Sequence, residues 1–199
     1  GDAKLVTDSV TITGGAALVR GSVLGQVTVG AAAAAVAGGG NTGNGAISAI
    51  TLGARAKVGT YTIRFTGATT YNVVNPFGVE LTPGYAAGAY VDPEINWTFT
   101  AGGTAMVAGD TETIAVAAGS GAYKLAAAAA LDGSQNPVAI LADAADASGG
   151  DVTGSIYLTG EFNQRALTLG AGITAAAAKA ALRVLNIFIK TSNSAADPT

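Results

Sequence analysis

Aromatic side chains divide this chain unevenly, and the division limits how it can fold. Eight of its twelve Phe, Tyr and Trp residues lie between positions 46 and 118. A segment that concentrates the large side chains can build a core of its own, whereas alanine-rich flanks must close a second core from small residues. Inside the segment Tyr61, Ile63 and Phe65 alternate with Thr60, Thr62, Arg64 and Thr66, and Ile95, Trp97 and Phe99 alternate with Asn96, Thr98 and Thr100. Period-two alternation predicts strands with one apolar face. Asn75-Pro76-Phe77-Gly78 and Thr82-Pro83-Gly84 read as turns, proline presetting φ and glycine allowing φ > 0. Met106-Val107 and Ile114-Ala115-Val116, separated by Ala108-Gly109-Asp110-Thr111, predict a hairpin. Residues 46–118 are thus expected to form a small antiparallel sandwich-like or open-barrel β-domain.

The flanks have a different character. Val10-Thr11-Ile12-Thr13 alternates, Gly14-Gly15 breaks it, and Leu18 to Val27 resumes a strand around Gly21 and Gly25. Residues 29–45, an alanine run followed by Gly38-Gly39-Gly40 and Asn41-Thr42-Gly43-Asn44-Gly45, read as a flexible linker. After Gly119 come a short strand at Tyr123-Lys124-Leu125, a turn at Leu131–Gln135 and a buried strand at Val138–Leu141. An acidic loop follows from Asp143 to Asp151, then alternation around Ile156 and Leu158. Thr174 is a good N-cap for a helix from about Ala175 to Leu185, with Ala178, Leu182 and Leu185 on one face and Lys179 and Arg183 on another. Ile187-Phe188-Ile189 is a final strand, and residues 193–199 a frayed tail. The fold class expected is mainly β with one C-terminal helix (α+β).

Several function classes are excluded on composition. There is no Cys and no His among the 199 residues, which removes disulfides, thiolate nucleophiles, zinc sites and imidazole bases together. Net charge is −3, and the ten Lys and Arg stand singly along the chain, so no basic stripe predicts nucleic-acid binding. No apolar run is long enough for a membrane-spanning helix. Gly1 follows no Met, so the start of the chain is expected to be trimmed.

Candidate sites weigh poorly against simpler roles. Asp143, Asp146 and Asp151 lack EF-hand spacing and read as a solvated loop. Asp92 and Glu94 could pair as glycosidase carboxylates beside Tyr90 and Trp97, but Pro93 between them predicts a turn, and surface acids over core aromatics is the simpler reading. Gly38–Gly45 lacks the Gly-Lys-Ser/Thr ending of a phosphate loop, and no Ser-x-x-Lys pairing occurs. No enzyme, cofactor or metal site is expected.

The order of elements in the last third carries a family resemblance. Asp132-Gly133, then Ala139-Ile140-Leu141, then Gly160-Glu161-Phe162, then a helix closing on Ile187-Phe188-Ile189 resembles the phage head decoration protein D family. The early phrase Arg20-Gly21-Ser22-Val23-Leu24-Gly25 resembles that family's first strand. The resemblance spans roughly residues 8–28 and 119–192. It implies a tulip-like β-barrel core (10–28 and 119–192); the family's compact members lack anything like residues 46–118, which read as an inserted domain whose role the resemblance does not supply. It further implies a homotrimer outside the expanded capsid at three-fold positions, with the major capsid protein as partner. Residues 1–9 would be a capsid-binding arm, with Ala3, Lys4, Leu5, Val6 and Thr7 as its β-prone stretch. No trimer-interface residue follows from the sequence. An alternative stays open, a phage or cell-surface adhesion module that stacks carbohydrate on Tyr85, Tyr90 and Trp97.

Overall fold

The computed structural model describes residues 4–85 and 88–191. The chain forms two compact units, one built from residues up to Thr28 together with those from Gly121, the other from Val29–Ser120. The first segment carries β1 (Val6–Ile12), β2 (Ala17–Leu18) and β3 (Val23–Gln26). The middle segment carries β4 (Val29–Ala32), β5 (Val36–Ala37), β6 (Ala46–Leu52), β7 (Gly59–Phe65), β8 (Thr70–Val74) and β9 (Gly84–Tyr85). It continues with β10 (Gly88–Tyr90), β11 (Ile95–Thr100) and β12 (Thr111–Ala118). The last segment holds β13 (Tyr123–Leu125), β14 (Pro137–Leu141), β15 (Ala145–Asp146), β16 (Val152–Asn163), α1 (Ala175–Arg183) and β17 (Ile187–Lys190). Among the described residues the protein is therefore mainly β with a single α-helix, towards the C-terminal end.

The split unit is a closed barrel of five strands in the order β1-β13-β3-β14-β16, sealed by β1 pairing back onto β16. β17 then joins β16 in parallel. Five strands enclose a narrow interior, because barrel diameter grows with strand number. Ile12, Leu18, Leu24, Leu141 and Ile156 fill it, with Ala139, Ala145 and Ala147 packed among them. The opposite face of the same strands is also buried, since Val23 and Ile140 point outward under α1 with Ala178, Leu182, Ile187 and Ile189. Burial on both faces explains why Val138–Leu141 is a continuous apolar run instead of an alternating one.

α1 starts where expected, the Thr174 hydroxyl accepting a hydrogen bond from the Ala177 N–H at 3.1 Å. It stops at Arg183, short of Leu185, which is exposed. Asn186 takes a left-handed φ of 62° and turns the chain into β17.

The second unit is antiparallel throughout. Sheet β10-β11-β6 and sheet β4-β12-β7-β8-β9, with β5 also on β12, share one core. Tyr61, Ile63 and Phe65 enter it from one sheet, and Ile95, Trp97 and Phe99 from the other. Two expectations fail here. Residues 29–45 are no free linker: β4 and β5 hydrogen-bond to β12. Their glycines serve close approach, a Cβ on Gly43 falling 2.4 Å from Met106 and one on Gly45 2.2 Å from the Phe99 ring. Met106-Val107 is not a strand of a hairpin; it leads into a turn held by Asp110. That carboxylate accepts backbone N–H groups from Val107, Thr42 and Gly43 at 2.9 Å each, which holds its pKa below the usual carboxylate range.

Candidate capsid-binding surface

Both family-like motifs have structural work in the barrel. Asp132 Oδ1 accepts the Ser134 N–H at 3.1 Å and the Ser134 hydroxyl at 2.6 Å, while Lys124 Nζ donates to Oδ2 at 2.6 Å. Burial pushes the Asp132 carboxyl up, but Lys124 and Ser134 outweigh it and hold it below its ordinary value. Gly133 has φ 98°, and a Cβ there would lie 2.0 Å from the Thr28 hydroxyl. The turn therefore demands glycine twice over.

Gly160, Glu161 and Phe162 each have a separate partner. Gly160 has φ 143°, and a Cβ on it would come within 2.9 Å of Leu5 in the N-terminal segment. Glu161 pairs with Lys190 of β17. Phe162 packs against Tyr157 with ring centroids 5.1 Å apart, and the Tyr157 hydroxyl accepts from Arg20 at 3.5 Å. These groups surround a hollow of about 490 Å³ bordered by Leu5, Arg20, Tyr157, Glu161 and Phe162. Motif and N-terminal segment thus meet at one place.

The expected arm is shorter than nine residues. Val6 and Thr7 already belong to β1, opposite Thr159 and Tyr157 of β16, and Lys4 accepts a hydrogen bond from the Thr159 hydroxyl through its carbonyl. Asp8 and Ser9 obscure this strand in the sequence because β1 is exposed on both faces until Val10, so no alternation is required there. Of the arm candidates, Lys4 and Leu5 precede the strand, and Ala3 lies outside the described residues, as do residues 193–199. Beyond Ile12 opposite Tyr123, β1 pairs only with β16 among the described residues, so no described strand covers most of its second edge.

The carbohydrate-stacking set does not assemble. Trp97 is 2% exposed and Tyr90 5%. They stack on each other across β10 and β11 at 4.0 Å, inside the core, so neither offers a ring face to a sugar. Tyr85 alone is open, at 73%. Asp92 accepts from the Thr82 hydroxyl at 3.0 Å and from the Glu94 N–H at 2.9 Å. Glu94 accepts from Tyr61 at 2.9 Å and Asn75 at 3.2 Å. Both acids are tied into structural hydrogen bonds. No carboxylate group suited to a metal occurs among the described residues, and Asp146 caps the N–H of Ser148 at 3.0 Å. No helix among them is long and apolar enough to cross a membrane.

One residue escaped the sequence reading, although alternation along β12 places it. Glu112 faces inward with Ile114 and Val116 and is 3% exposed. Burial raises its pKa. A carboxyl whose folded pKa exceeds its unfolded value of about 4.3 is best tolerated below that value, and it loses stability as pH rises through the folded value. Glu112→Gln is therefore expected to stabilise the second unit at pH 7 by about 1 kcal/mol and to flatten the fall in its stability as pH rises above the unfolded value. Urea titration followed by Trp97 fluorescence measures both; a variant less stable than wild type at pH 7 contradicts the assignment.

Among solved structures, two crystal forms of Xanthomonas campestris FlgL share 20% identity with this chain and cover 51% of it, with TM-scores of 0.36 and 0.35. The alignment takes in 33% and 31% of those chains, so this chain spans about a third of their length. No curated protein matches the chain. The family model for bacteriophage lambda head decoration protein D matches residues 94–188. That match runs through β11 and β12 of the second unit as well as the barrel segments from β13 into β17, and it leaves residues 8–28 outside. Over residues 94–188 the chain is therefore similar to the phage lambda head decoration protein D family.

Proposed function

We propose that this protein decorates the outer surface of an expanded phage head as a homotrimer at three-fold positions, bound to the major capsid protein, and strengthens the shell against internal DNA pressure. The observation that carries the proposal is the family match over residues 94–188, whose Gly160-Glu161-Phe162 motif borders the N-terminal segment. Residues preceding β1 are the capsid-binding arm, adding a strand whose main-chain hydrogen bonds supply affinity. Ordering such a segment costs about 1–2 kcal/mol per residue, and three arms on one trimer offset that cost through effective concentration. The second unit is an accessory β-domain, inserted between the two parts of the barrel chain.

A decoration protein stabilises the expanded shell only by preferring it. Binding contributes RT ln(1 + [L]/Kd) per site, about 2.7 kcal/mol when the protein is at 100 times its Kd. Mixing the purified chain with expanded heads that lack it should therefore raise their disruption temperature in a concentration-dependent way, read by light scattering and DNA release. Heads that neither bind the protein nor disrupt at a higher temperature would remove this function.

A further inference from the structure

We infer that the barrel docks through its basic end, a cation-rimmed apolar patch centred on Phe188, and that the surface it meets is an acidic protein surface. The inference rests on the decoration reading and names the chemistry of its partner.

The antiparallel register of β1 and β16 defines two ends. Ile12 lies opposite Val152 at one end and Val6 opposite Thr159 at the other. Asp143, Asp146 and Asp151 all lie in the loop that enters β16 at Val152, so these three acids sit at the first end. The second end gathers cations from three separate elements. Lys4 precedes β1, Lys179 and Arg183 come from α1, and Lys190 closes β17. Glu161 is the acid beside them, and it is committed to Lys190. Lys4, Lys179 and Arg183 form no ion pair among the described residues.

These cations rim one continuous patch. A hollow of about 440 Å³ is lined by Lys179, Arg183, Phe188 and Lys190, and an adjoining one of about 380 Å³ by Lys4, Val6, Asn186 and Phe188. Phe188 lines both. Cations on α1 alone could serve the helix C-terminus. Lys4 and Lys190 lie off the helix, so that role does not account for the cluster. An apolar centre with a charged rim is the composition of a protein interface, in which rim charges steer and orient the encounter. A phosphate backbone would use the cations but leave Phe188 without a partner. The patch also adjoins the N-terminal segment, so arm and patch reach the same partner together.

The test uses the full-length chain and undecorated expanded heads of its phage, with binding measured by co-sedimentation. Wild-type affinity is expected to fall about tenfold between roughly 50 and 300 mM salt. Lys179→Glu with Arg183→Glu should weaken binding by about 30-fold or more at low salt, while Lys179→Arg with Arg183→Lys retains it. Circular dichroism checks folding, and the milder Lys179→Gln with Arg183→Gln replaces the charge reversal if α1 is lost. Wild-type binding that is insensitive to salt, or a folded charge-reversed variant that binds normally, overturns the inference and leaves decoration standing. Duplex DNA bound as tightly as heads overturns it in favour of a nucleic-acid surface. Wild type that fails to bind heads at all sinks the decoration reading, and this inference with it.

Discussion

Gly25→Ala is expected to destabilise the barrel by about 3 kcal/mol, lowering its melting temperature by roughly 10 °C. Gly25 sits in β3 between two neighbours, opposite Lys124 of β13 and Pro137 of β14. A Cβ there would lie 2.1 Å from the Ser134 carbonyl oxygen and 2.7 Å from the Ser134 Cα. Those are backbone atoms, so no rotamer change relieves the clash. Ser134 cannot retreat either, because it is fully buried and its hydroxyl and N–H are both held by Asp132. The strand or the turn must move, and each carries part of the barrel closure. Gly149→Ala is the matched control: nothing lies within 4 Å of its Cβ position, and its φ is ordinary, so its effect should stay within about 0.5 kcal/mol. Thermal melts by circular dichroism compare the two. Melting of Gly25→Ala within about 2 °C of wild type would show that the turn yields, and that the close approach is not a constraint on the fold.

The same contrast explains what the sequence discloses. Ile95, Trp97 and Phe99 announce a strand because large side chains alternate, and Thr174 announces a helix because its hydroxyl has one geometric use there. Residues 29–45 disclose nothing, since alanine and glycine carry no period and the reason for each glycine lies in a distant partner such as Met106 or Phe99. Alternation also predicts that Trp97 shares a face with Ile95 and Phe99, which places it in the core, while its chemistry alone suggests a sugar platform; the fold follows the alternation. Glu112 obeys the same period-two logic and was legible in principle. The basic end was not legible. Lys4, Lys179, Arg183 and Lys190 look like isolated charges along the chain, and only the return of β1 onto β16, with α1 leading into β17, gathers them.

Removing residues 1–5 is expected to reduce head binding by at least a hundredfold while leaving the melting temperature within about 2 °C of wild type. The start of β1 sets how much chain can be removed without opening the barrel. Deleting residues 1–9 would also strip Val6, Thr7, Asp8 and Ser9 from the strand that seals the barrel, where they face Thr159, Tyr157, Ile156 and Ser155. At about 0.5–1.5 kcal/mol net per hydrogen bond, losing that stretch of ladder costs several kcal/mol, and lost binding would then report only lost structure. The shorter truncation stops before Val6, keeps every β1–β16 pair and removes Lys4 and Leu5 with the residues ahead of them. Leu5 is more than half exposed, so little burial is lost with it. In the proposed trimer, removing all three arms together would abolish the gain in effective concentration as well as each arm's own contacts, which sets the large expected factor. Equilibrium binding to undecorated heads beside a thermal melt separates the outcomes. A truncated protein that melts normally and binds normally would take the arm out of the mechanism and leave the barrel end as the whole docking surface.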